Sequence, residues 1–593
     1  MRTFSELKRA ASAAVSEPFD ATMALCGDTA TQLLSTAIKG EAALRGLSLR
    51  LYESPYGSAE HELLVANSPM RQAEAQYVVV YRSVHQLAAR HARLDVEAQH
   101  QFAERELAFY DELLQDPYFA QRTLIVLNFP TVDDGVWGSF AANVPSSLPN
   151  QIRRINYGLQ TRAEAHKGFL VCDIDALQAQ MGRETLFDEA VYTTTEIEFS
   201  LSALAAISAR IVDAVAVRSG RFHKVLIADL DNTLWGGIVS EDGIGGLQIG
   251  HALGIGRAYA AIQQWVKKLV ARGVILCIVS KNDEALAKQA FSTHPDMLLT
   301  LDDVAVFVAG WDTKAEGVLR IADILHIGTE QMVFIDDSPF ERGMVRTGVP
   351  GICVPELPED PALWVDFLSA QHLFDTAAYS TTDARRVEVY REEAAREATR
   401  VQFKGEDDYL ASLGMQASVE GLTPLNVSRV AQLTQRSNQF NLRTVRYTEA
   451  ELQGMAAAPQ DYRLLCFSLH DKFGNQGLVS VVVLHRIDDK QVFVDTWLMS
   501  CRVLRRGMEH FVANTIVEVA SQAGFEQIVA EYIPTKKNAM VANLLPDIGF
   551  KPTDCSAAAI PNNEKAHSVD QRVVYTLPIS TYRKWSCHIV KGD

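Results

Sequence analysis

The chain has 593 residues, of which 48% are apolar and 22% are charged, and its formal net charge is -17. This composition is typical of folded globular protein rather than of a disordered chain, and the acidic balance argues against a nucleic-acid-binding protein. No stretch approaches the roughly 18 apolar residues of a membrane span, and the N-terminus has no signal-peptide pattern. The eight cysteines form no CxxC pair, which is typical of a reducing compartment. We therefore expect a cytoplasmic protein of several domains with no membrane partner.

The first 215 or so residues alternate helical patterns with short apolar runs at 76–82, 122–129 and 167–175. Strands that alternate with helices predict a parallel α/β layer. The segment ALCGDTATQLL (24–34) resembles the GDS block of SGNH hydrolases, with Thr29 in the position of the serine. The later Asp-x-x-His pair of those enzymes is missing, and without a histidine base Thr29 is a poor nucleophile. We interpret 1–215 as an SGNH-like, non-catalytic domain, in which Asp28 or Thr29 caps a helix.

From Lys224 onward the alternation of strands and helices is clearer. Apolar runs at 225–229, 274–280 and 333–337 predict strands, and residues 257–272 place their apolar side chains on one face of a helix that Gly273 ends. A further helix is expected around 314–325. This order predicts a doubly wound parallel sheet over 220–378.

The region 379–404 is highly charged and predicts a solvated linker helix. Beyond it, apolar runs at 463–469, 477–487 and 491–500 predict a meander of strands, and a helix is expected from about 507. This pattern predicts an α+β domain over 405–593.

Two aspartates, Asp229 and Asp231, lie one residue apart at the end of the strand 225–229. The carboxyl ends of parallel strands form the crevice in which α/β sheets bind ligands. A carboxylate there can attack phosphorus, and a second one on the same side can protonate the leaving oxygen and later deprotonate water. The repulsion between the two carboxylates and the charge of a phosphate both favour a divalent cation, and oxygen ligands favour Mg²⁺.

Such chemistry needs a hydroxyl group, a fixed cation and another metal-binding carboxylate, and all three follow in order. Ser280 ends the strand 274–280, Lys314 lies at a helix start, and Asp336 and Asp337 end the strand 333–337. A pair of aspartates that caps a helix is the alternative explanation for the first motif, but it does not account for the other three.

The motifs DLDNTLWGG, VSKND, FIDDSPFER and QLTQRSNQFNLRT (432–444) resemble the FkbH-like family, in subfamily IIIC of the haloacid dehalogenase-like (HAD) superfamily. The resemblance implies that Asp229 is the nucleophile and Asp231 the acid/base. The implied phosphate-binding set is Leu230, Ser280, Lys281, Asn282 and Lys314. The implied Mg²⁺ ligands are Asp229, Asp231 through its carbonyl, and Asp336. We interpret Trp235, which precedes two glycines, as a packing residue.

The stretches 497–520 and 533–550 resemble a GNAT-type acyltransferase domain, in which an RxxGxG loop binds the pyrophosphate of CoA at a helix N-terminus. Here the loop reads RxxRxG, with Arg505 in the position of the first glycine. Arginine side chains would instead bind a phosphopantetheine phosphate or an acidic carrier protein. The predicted carrier-binding set is Arg502, Arg505, Arg506 and Asn538. A solvated basic helix start is the alternative.

Cys501 directly precedes this basic loop, where arginines and helix amides favour a thiolate. FkbH-like proteins are implicated in making glyceryl thioesters, so we expect Cys501 to act as a nucleophile. Cys277 is the rival, although its mid-strand position is typical of a core thiol. Direct attack by the thiol of the carrier protein also stays open.

The resemblance thus implies a multi-domain α/β protein with an SGNH-like domain, a HAD-like doubly wound sheet and a GNAT-like α+β domain. The implied activity is that of a bifunctional glyceryl transferase and phosphatase. It would convert 1,3-bisphosphoglycerate into a glyceryl thioester on an acyl carrier protein for polyketide-type biosynthesis. One alternative is a HAD phosphatase with a non-catalytic carrier-binding module. Another is a HAD phosphatase fused to an acetyl-CoA-dependent N-acyltransferase.

Overall fold

The computed structural model describes residues 2–13, 19–219, 221–376, 390–392, 395–396, 399–400, 403, 405–437, 439–500, 503–535, 538–553 and 572–592. The chain forms two compact units. The first consists of Met1–Leu301, Val308–Leu319 and Ile327–Ala384, and the second of Asp302–Phe307, Arg320–His326 and Arg385–Asp593. The predicted boundaries of three domains stay a prediction.

The N-terminal part contains a five-stranded parallel sheet in the order β2-β1-β3-β4-β5. Its strands are β1 Ala21–Gly27, β2 Leu49–Glu53, β3 Tyr77–Tyr81, β4 Thr123–Leu127 and β5 Phe169–Cys172. Every residue of β3 and β4 is buried, because helices cover the sheet. The helices are α1 Phe4–Ala13, α2 Gln32–Leu44, α3 Ala59–Leu64, α4 Pro69–Gln72, α5 Val84–Ala92, α6 Val96–His100, α7 Phe102–Gln115, α8 Pro117–Ala120, α9 Leu148–Ala165, α10 Ile174–Met181, α11 Arg183–Leu186, α12 Glu189–Thr195 and α13 Leu201–Arg218.

A second sheet has four strands in the order β8-β7-β6-β9. They are β6 Val225–Ala228, β7 Ile275–Ser280, β8 Val304–Ala309 and β9 Met332–Ile335, and β6 runs parallel to its neighbours β7 and β9. Three of these strands were indicated by the sequence, whereas β8 was not. The helices are α14 Val239–Asp242, α15 Gly256–Ala271, α16 Glu284–Thr293, α17 Lys314–Leu325, α18 Pro339–Gly348 and α19 Trp364–Ala370. Since β6 lies between β7 and β9, the motifs that follow these three strands meet at one edge.

The third sheet has eight strands in the order β15-β16-β14-β13-β12-β11-β10-β17. They are β10 Gln416–Glu420, β11 Tyr462–Asp471, β12 Gly474–Arg486, β13 Gln491–Met499, β14 Gln527–Tyr532, β15 Lys551–Thr553, β16 Val573–Pro578 and β17 Val590–Lys591. The strands β11, β12 and β13 form an antiparallel meander, whereas β13 and β14 are parallel. The helices are α20 Glu406–Ser412, α21 Val427–Arg436, α22 Glu449–Ala456, α23 Met508–Gln522 and α24 Leu544–Asp547. The chain is therefore a multi-domain α/β protein.

The predicted linker helix 379–404 lies mostly outside the described residues. Its described part is not wholly solvated, because Arg396 is only 1% exposed. The guanidinium of Arg396 donates from Nε to Asp471 Oδ2 over 2.7 Å and from Nη2 to Asp471 Oδ1 over 2.9 Å. This buried pair attaches the segment to the second unit. None of the helices in the described ranges has the length and apolar character needed to span a bilayer.

Candidate active site

The edge of the second sheet gathers the polar side chains that follow β6, β7 and β9. Asp229 comes directly after β6, Ser280 ends β7, Asp336 comes directly after β9, and Lys314 begins α17. All four side chains are buried, with exposed fractions of 4%, 5%, 0% and 5% in that order. The structure thus brings four predicted groups together in one crevice: the nucleophile, the hydroxyl group, the metal-binding carboxylate of Asp336 and the ammonium group.

The ammonium group of Lys314 joins two of the carboxylates. Its Nζ lies 2.8 Å from Asp229 Oδ2 and 2.6 Å from Asp336 Oδ2. Burial and the neighbouring Asp336 raise the pKa of Asp229 to about 6, although Lys314 opposes this shift. Burial also raises the pKa of Asp336. Burial disfavours the charge on Lys314, but its two carboxylate partners outweigh this effect and raise its pKa. One ammonium group therefore does not neutralise the carboxylates around it.

The arrangement of the carboxylates fits a divalent cation. Asp229, Asp336 and Asp337 each offer a carboxylate oxygen, and these oxygens lie within 4.8 Å of one another. Oδ1 of Asp229 is buried and has no hydrogen-bond partner among the described residues. Because an unpaired buried anionic oxygen is costly, a cation at this point would relieve the site, and a set of oxygen donors suits Mg²⁺.

The predicted metal set therefore needs one addition, Asp337. Its carboxylate accepts a hydrogen bond from Thr233 over 3.3 Å, and burial raises its pKa. The doublet Asp336–Asp337 was visible in the sequence, but spacing alone does not tell which of two adjacent side chains faces the crevice. In the structure both do.

The side chain of Asp231 lies outside this carboxylate group. Three N–H donors hold it, from the indole of Trp235, the backbone of Val239 and the amide of Asn282. Trp235 is thus more than the packing residue that the sequence indicated. The sequence signal for this role is that Trp235 follows Asp231 by four residues within one tight turn, where a donor side chain can fold back onto a carboxylate.

The other predicted phosphate-binding residues occupy different environments. Asn282 is 2% exposed and donates to Ser280 Oγ over 3.1 Å. The side chain of Leu230 is fully buried, so only its backbone is available to a ligand. Lys281 is 40% exposed, and its Nζ lies 2.6 Å from Glu341 Oε1. Because Lys281 follows β7 and Glu341 lies in the first turn of α18 after β9, this ion pair reaches from one side of β6 to the other.

The described members of the predicted carrier-binding set, Arg505, Arg506 and Asn538, do not form one exposed surface. Cys501 and Arg502 lie outside the described residues, and Arg505 is exposed with φ at 60°. Arg506 is only 6% exposed, with Nη1 3.6 Å from Asp471 Oδ2. Asn538 is fully buried and donates its amide to two backbone carbonyls. The prediction for Arg506 and Asn538 is corrected, because both are engaged inside the fold. Cys277 is fully buried within β7.

Leu442, within the motif 432–444, bridges β13 and the residue after β14, beyond the last residues at which the two strands pair, Val494 and Ala530. The amide of Leu442 donates to Trp497 O over 3.4 Å, and its carbonyl accepts from Ile533 N over 2.9 Å. The main-chain groups at these strand ends are therefore already bonded to the chain itself. An extended ligand could add to them only by displacing this segment.

The N-terminal sheet does contain a histidine at its carboxyl edge, after β3 rather than in the missing Asp-x-x-His pair. His85 lies 2.9 Å through Nδ1 from Glu198 and 3.0 Å through Nε2 from Glu189. Burial opposes its charge, but these carboxylates raise its pKa. Thr29 is 1% exposed and donates its hydroxyl to the carbonyl of Glu196. Neither group is free to act in nucleophilic catalysis in this conformation.

Comparisons with known proteins agree with the features of the crevice. A family described as the FkbH N-terminal domain matches residues 22–216. The crystal structure of the N-terminal part of the protein BF1531 from Bacteroides fragilis, which contains a phosphatase domain and is complexed with Mg, is 43% identical. It covers 64% of this chain and 100% of its own, with a TM-score of 0.61.

Two acetyltransferase structures are much less similar to this chain, and no curated protein matches it. An acetyltransferase from Streptococcus agalactiae is 14% identical, covering 28% of this chain and 98% of its own, with a TM-score of 0.22. A spermidine N-acetyltransferase from Vibrio cholerae, solved with CoA and spermine, is 13% identical with the same coverage and TM-score. Similarity at this level has no bearing on activity. The match to BF1531 over that chain's whole length, together with the N-terminal domain match, shows that this chain belongs to the FkbH-like family.

Proposed function

We propose that the chain is a Mg²⁺-dependent HAD-type phosphatase that also forms glyceryl thioesters. The phosphatase part is supported above all by Lys314, which lies between the buried carboxylates of Asp229 and Asp336. The family and the phosphatase domain of the Bacteroides relative also support it. The carboxylates of Asp229, Asp336 and Asp337, with the backbone carbonyl of Asp231 that the family resemblance implies, would hold Mg²⁺. When bound, Mg²⁺ would neutralise charge on the carboxylates and the phosphoryl group.

In this reaction the carboxylate of Asp229 attacks phosphorus, and the bond from phosphorus to the leaving oxygen breaks. The leaving oxygen takes its electron pair and a proton from the carboxyl group of Asp231. Ser280 and Lys314 bind the phosphoryl oxygens. Water then attacks the same phosphorus and gives its proton to Asp231, and the carboxylate of Asp229 departs with its electron pair as inorganic phosphate is released. The crevice thus returns to its starting state.

The transferase part of the proposal concerns 1,3-bisphosphoglycerate. A thiolate, which we assign to Cys501, attacks the acyl carbon, and phosphate leaves with the electron pair of the broken carbon–oxygen bond. The remaining phosphate is removed at the crevice, and the glyceryl group passes to the phosphopantetheine thiol of an acyl carrier protein. An acyl phosphate is already activated, so the step needs no ATP. The product would feed polyketide-type biosynthesis in the cytoplasm.

The test is to incubate the protein with 1,3-bisphosphoglycerate and Mg²⁺ and to measure the intact mass of the protein and the release of phosphate. We expect a glyceryl adduct that disappears in Cys501→Ala, and in Asp229→Asn an adduct that still carries the remaining phosphate. An adduct that persists in Cys501→Ala would refute the choice of nucleophile. Loss of the remaining phosphate from the adduct of Asp229→Asn would refute the phosphatase mechanism.

A second candidate function is a phosphatase whose C-terminal region only binds the carrier protein. The main-chain bonds of Leu442 to Trp497 and Ile533 favour it, because they already occupy the groups at the ends of β13 and β14 to which an extended acyl donor would bind. It predicts phosphate release with no protein adduct. An acetyl-CoA-dependent acyltransferase is the other alternative, and turnover of acetyl-CoA by the full chain would support it.

A further inference from the structure

Both oxygens of the Asp231 carboxylate accept hydrogen bonds from fixed donors. Oδ1 accepts from Trp235 Nε1 over 2.8 Å and from Val239 N over 3.1 Å. Oδ2 accepts from Asn282 Nδ2 over 2.9 Å. A carboxyl group that is held through both oxygens cannot turn about its Cβ–Cγ bond without losing at least one of these bonds. The orientation of Asp231 is therefore set by its surroundings and not by its own side-chain torsions.

Trp235 is well suited to this task. Its side chain is fully buried, and its ring meets that of Phe291 edge to face at 5.6 Å between centroids. An indole N–H can only donate, so it cannot exchange protons with the acid or compete with it for the leaving oxygen. Packing fixes the ring, and the ring fixes the position of Oδ1.

Asn282 provides the second contact. It is 2% exposed, and its Nδ2 donates both to Asp231 Oδ2 and to Ser280 Oγ, the latter over 3.1 Å. It therefore ties the carboxyl group on the β6 side to the hydroxyl group at the end of β7. The family resemblance implies a phosphate contact for Asn282, whereas in the structure its amide group connects two other site residues.

We propose that Trp235 and Asn282 are positioning residues, which hold the carboxyl group of Asp231 toward the leaving oxygen of the phosphate ester. This inference rests on the phosphatase reaction proposed above. In that reaction the phosphorus–oxygen bond to the leaving group breaks while the proton of Asp231 moves to the departing oxygen. A carboxyl group that is turned away cannot deliver this proton, although the attack of Asp229 on phosphorus is unaffected.

The leaving group distinguishes positioning from general damage. An alkyl phosphate leaves as an alkoxide unless it receives a proton, whereas nitrophenolate is stable enough to leave without one. Loss of the indole N–H should therefore lower kcat for an alkyl phosphate by about 10- to 100-fold and change kcat for p-nitrophenyl phosphate by less than about 3-fold. KM should stay nearly constant for both, because the side chain of Trp235 is fully buried and the proposed phosphate-binding groups belong to other residues.

The experiment compares Trp235→Phe with the full-length wild type in Mg²⁺, using 3-phosphoglycerate and p-nitrophenyl phosphate as substrates. The matched control is Trp364→Phe. Trp364 is also buried, at 2% exposure, and donates its N–H to the carbonyl of Pro358 over 2.7 Å, so it loses the same group without touching Asp231. The pair of variants separates the contact with Asp231 from the loss of a buried indole.

A fall in kcat that is confined to 3-phosphoglycerate and to Trp235→Phe supports the inference. Equal losses for both substrates, or no loss for either, overturn it. If Trp235→Phe does not fold, Asn282→Ala is measured in its place. Its lost contact with Ser280 lowers kcat for both substrates, but kcat should fall by a larger factor for 3-phosphoglycerate than for p-nitrophenyl phosphate, and an equal fall overturns the inference. Should the wild type release phosphate from neither substrate, the proposed phosphatase itself fails, which is a different outcome from a wild type whose variants show no selectivity.

Discussion

Substitution of the predicted nucleophile should stabilise its strand in the absence of metal. Burial and Asp336 raise the pKa of Asp229 from its usual 3.8 to about 6. A carboxyl group with a raised pKa binds its proton more tightly in the folded state, so stability is lost as the pH rises from the unfolded to the folded value. Above that range the loss of folding free energy is complete and amounts to about 3 kcal/mol, since each pKa unit corresponds to about 1.4 kcal/mol. Asp229→Asn removes this charge and hence up to this cost.

The assay is hydrogen exchange of the full-length protein in EDTA, followed by mass spectrometry on peptides that contain β6 and β9. Local exchange reports the opening free energy of these strands even in a chain of several domains. We expect slower exchange in Asp229→Asn than in the wild type at about pH 7.5, and a difference about half as large near pH 5. The exposed Asp312 provides the control, because Asp312→Asn removes a carboxylate that carries no burial cost.

Mg²⁺ should reverse the order of the two proteins. At a concentration of about 1,000 times Kd, a bound cation stabilises the wild type by about 4.1 kcal/mol, which exceeds the cost of about 3 kcal/mol, whereas Asp229→Asn lacks one of its ligands. Faster exchange in Asp229→Asn than in the wild type in EDTA would refute the reasoning, since it would mean that the buried carboxylate stabilises the crevice without a metal.

Three further outcomes are expected elsewhere in the chain. Glu341→Gln should free Lys281 from its ion pair and lower KM for phosphoglycerate more than KM for the less anionic p-nitrophenyl phosphate. Steady-state kinetics measures both values, and an unchanged ratio of the two KM values would contradict the prediction. Arg443→Met should remove the close charge partner of the buried carboxylates Asp495 and Glu531, leaving Glu531 only Arg572 at 4.0 Å, and destabilise β13 and β14 by about 3–5 kcal/mol, measured by hydrogen exchange with exposed Arg463→Met as control. Burial lowers the pKa of His85, but its carboxylate partners outweigh burial and raise this pKa above 6.5, so its ion pairs should hold at low pH and weaken as the pH rises through the pKa of the folded state. Residues 188–197 should therefore lose protection from hydrogen exchange as the pH becomes alkaline. Protection that does not change with pH would refute this.

The sequence predicted the crevice well because its residues follow strands directly. Asp229, Ser280 and Asp336 come at or next to the ends of three buried apolar runs, and strand order then places them together. What spacing did not predict is the direction of each side chain. The carboxylate of Asp337 lies with those of Asp229 and Asp336 and is bonded by Thr233. The carboxylate of Asp231 lies outside this group, where three N–H donors hold it. Both placements depend on how the tight turn after β6 folds back.

The residues predicted from the basic loop were less accurate for a similar reason. Arg506 is near an exposed segment in sequence, but its burial depends on Asp471, which lies on a strand far away along the chain. Asn538 is fixed by the carbonyl of Asn441, almost a hundred residues earlier. A local pattern of basic residues does not contain such long-range partners. The β8 strand was missed although Lys314 follows its end by five residues, because Lys314 was assigned only to the start of a helix.

The two aspartates of the DxD motif differ in their surroundings more than in their sequence. Asp229 lies beside an ammonium group and other carboxylates, where a carboxylate is unstable by itself and is relieved by any new positive charge or covalent bond to its oxygen. Asp231, two residues away, is held by neutral N–H groups that fix its direction but leave its chemistry to the ligand. Environments that differ in this way are what separates a nucleophile from a proton donor. The division of labour therefore depends on Lys314 for one carboxyl group and on Trp235 and Asn282 for the other, so exchange of either set should impair a different half of the reaction.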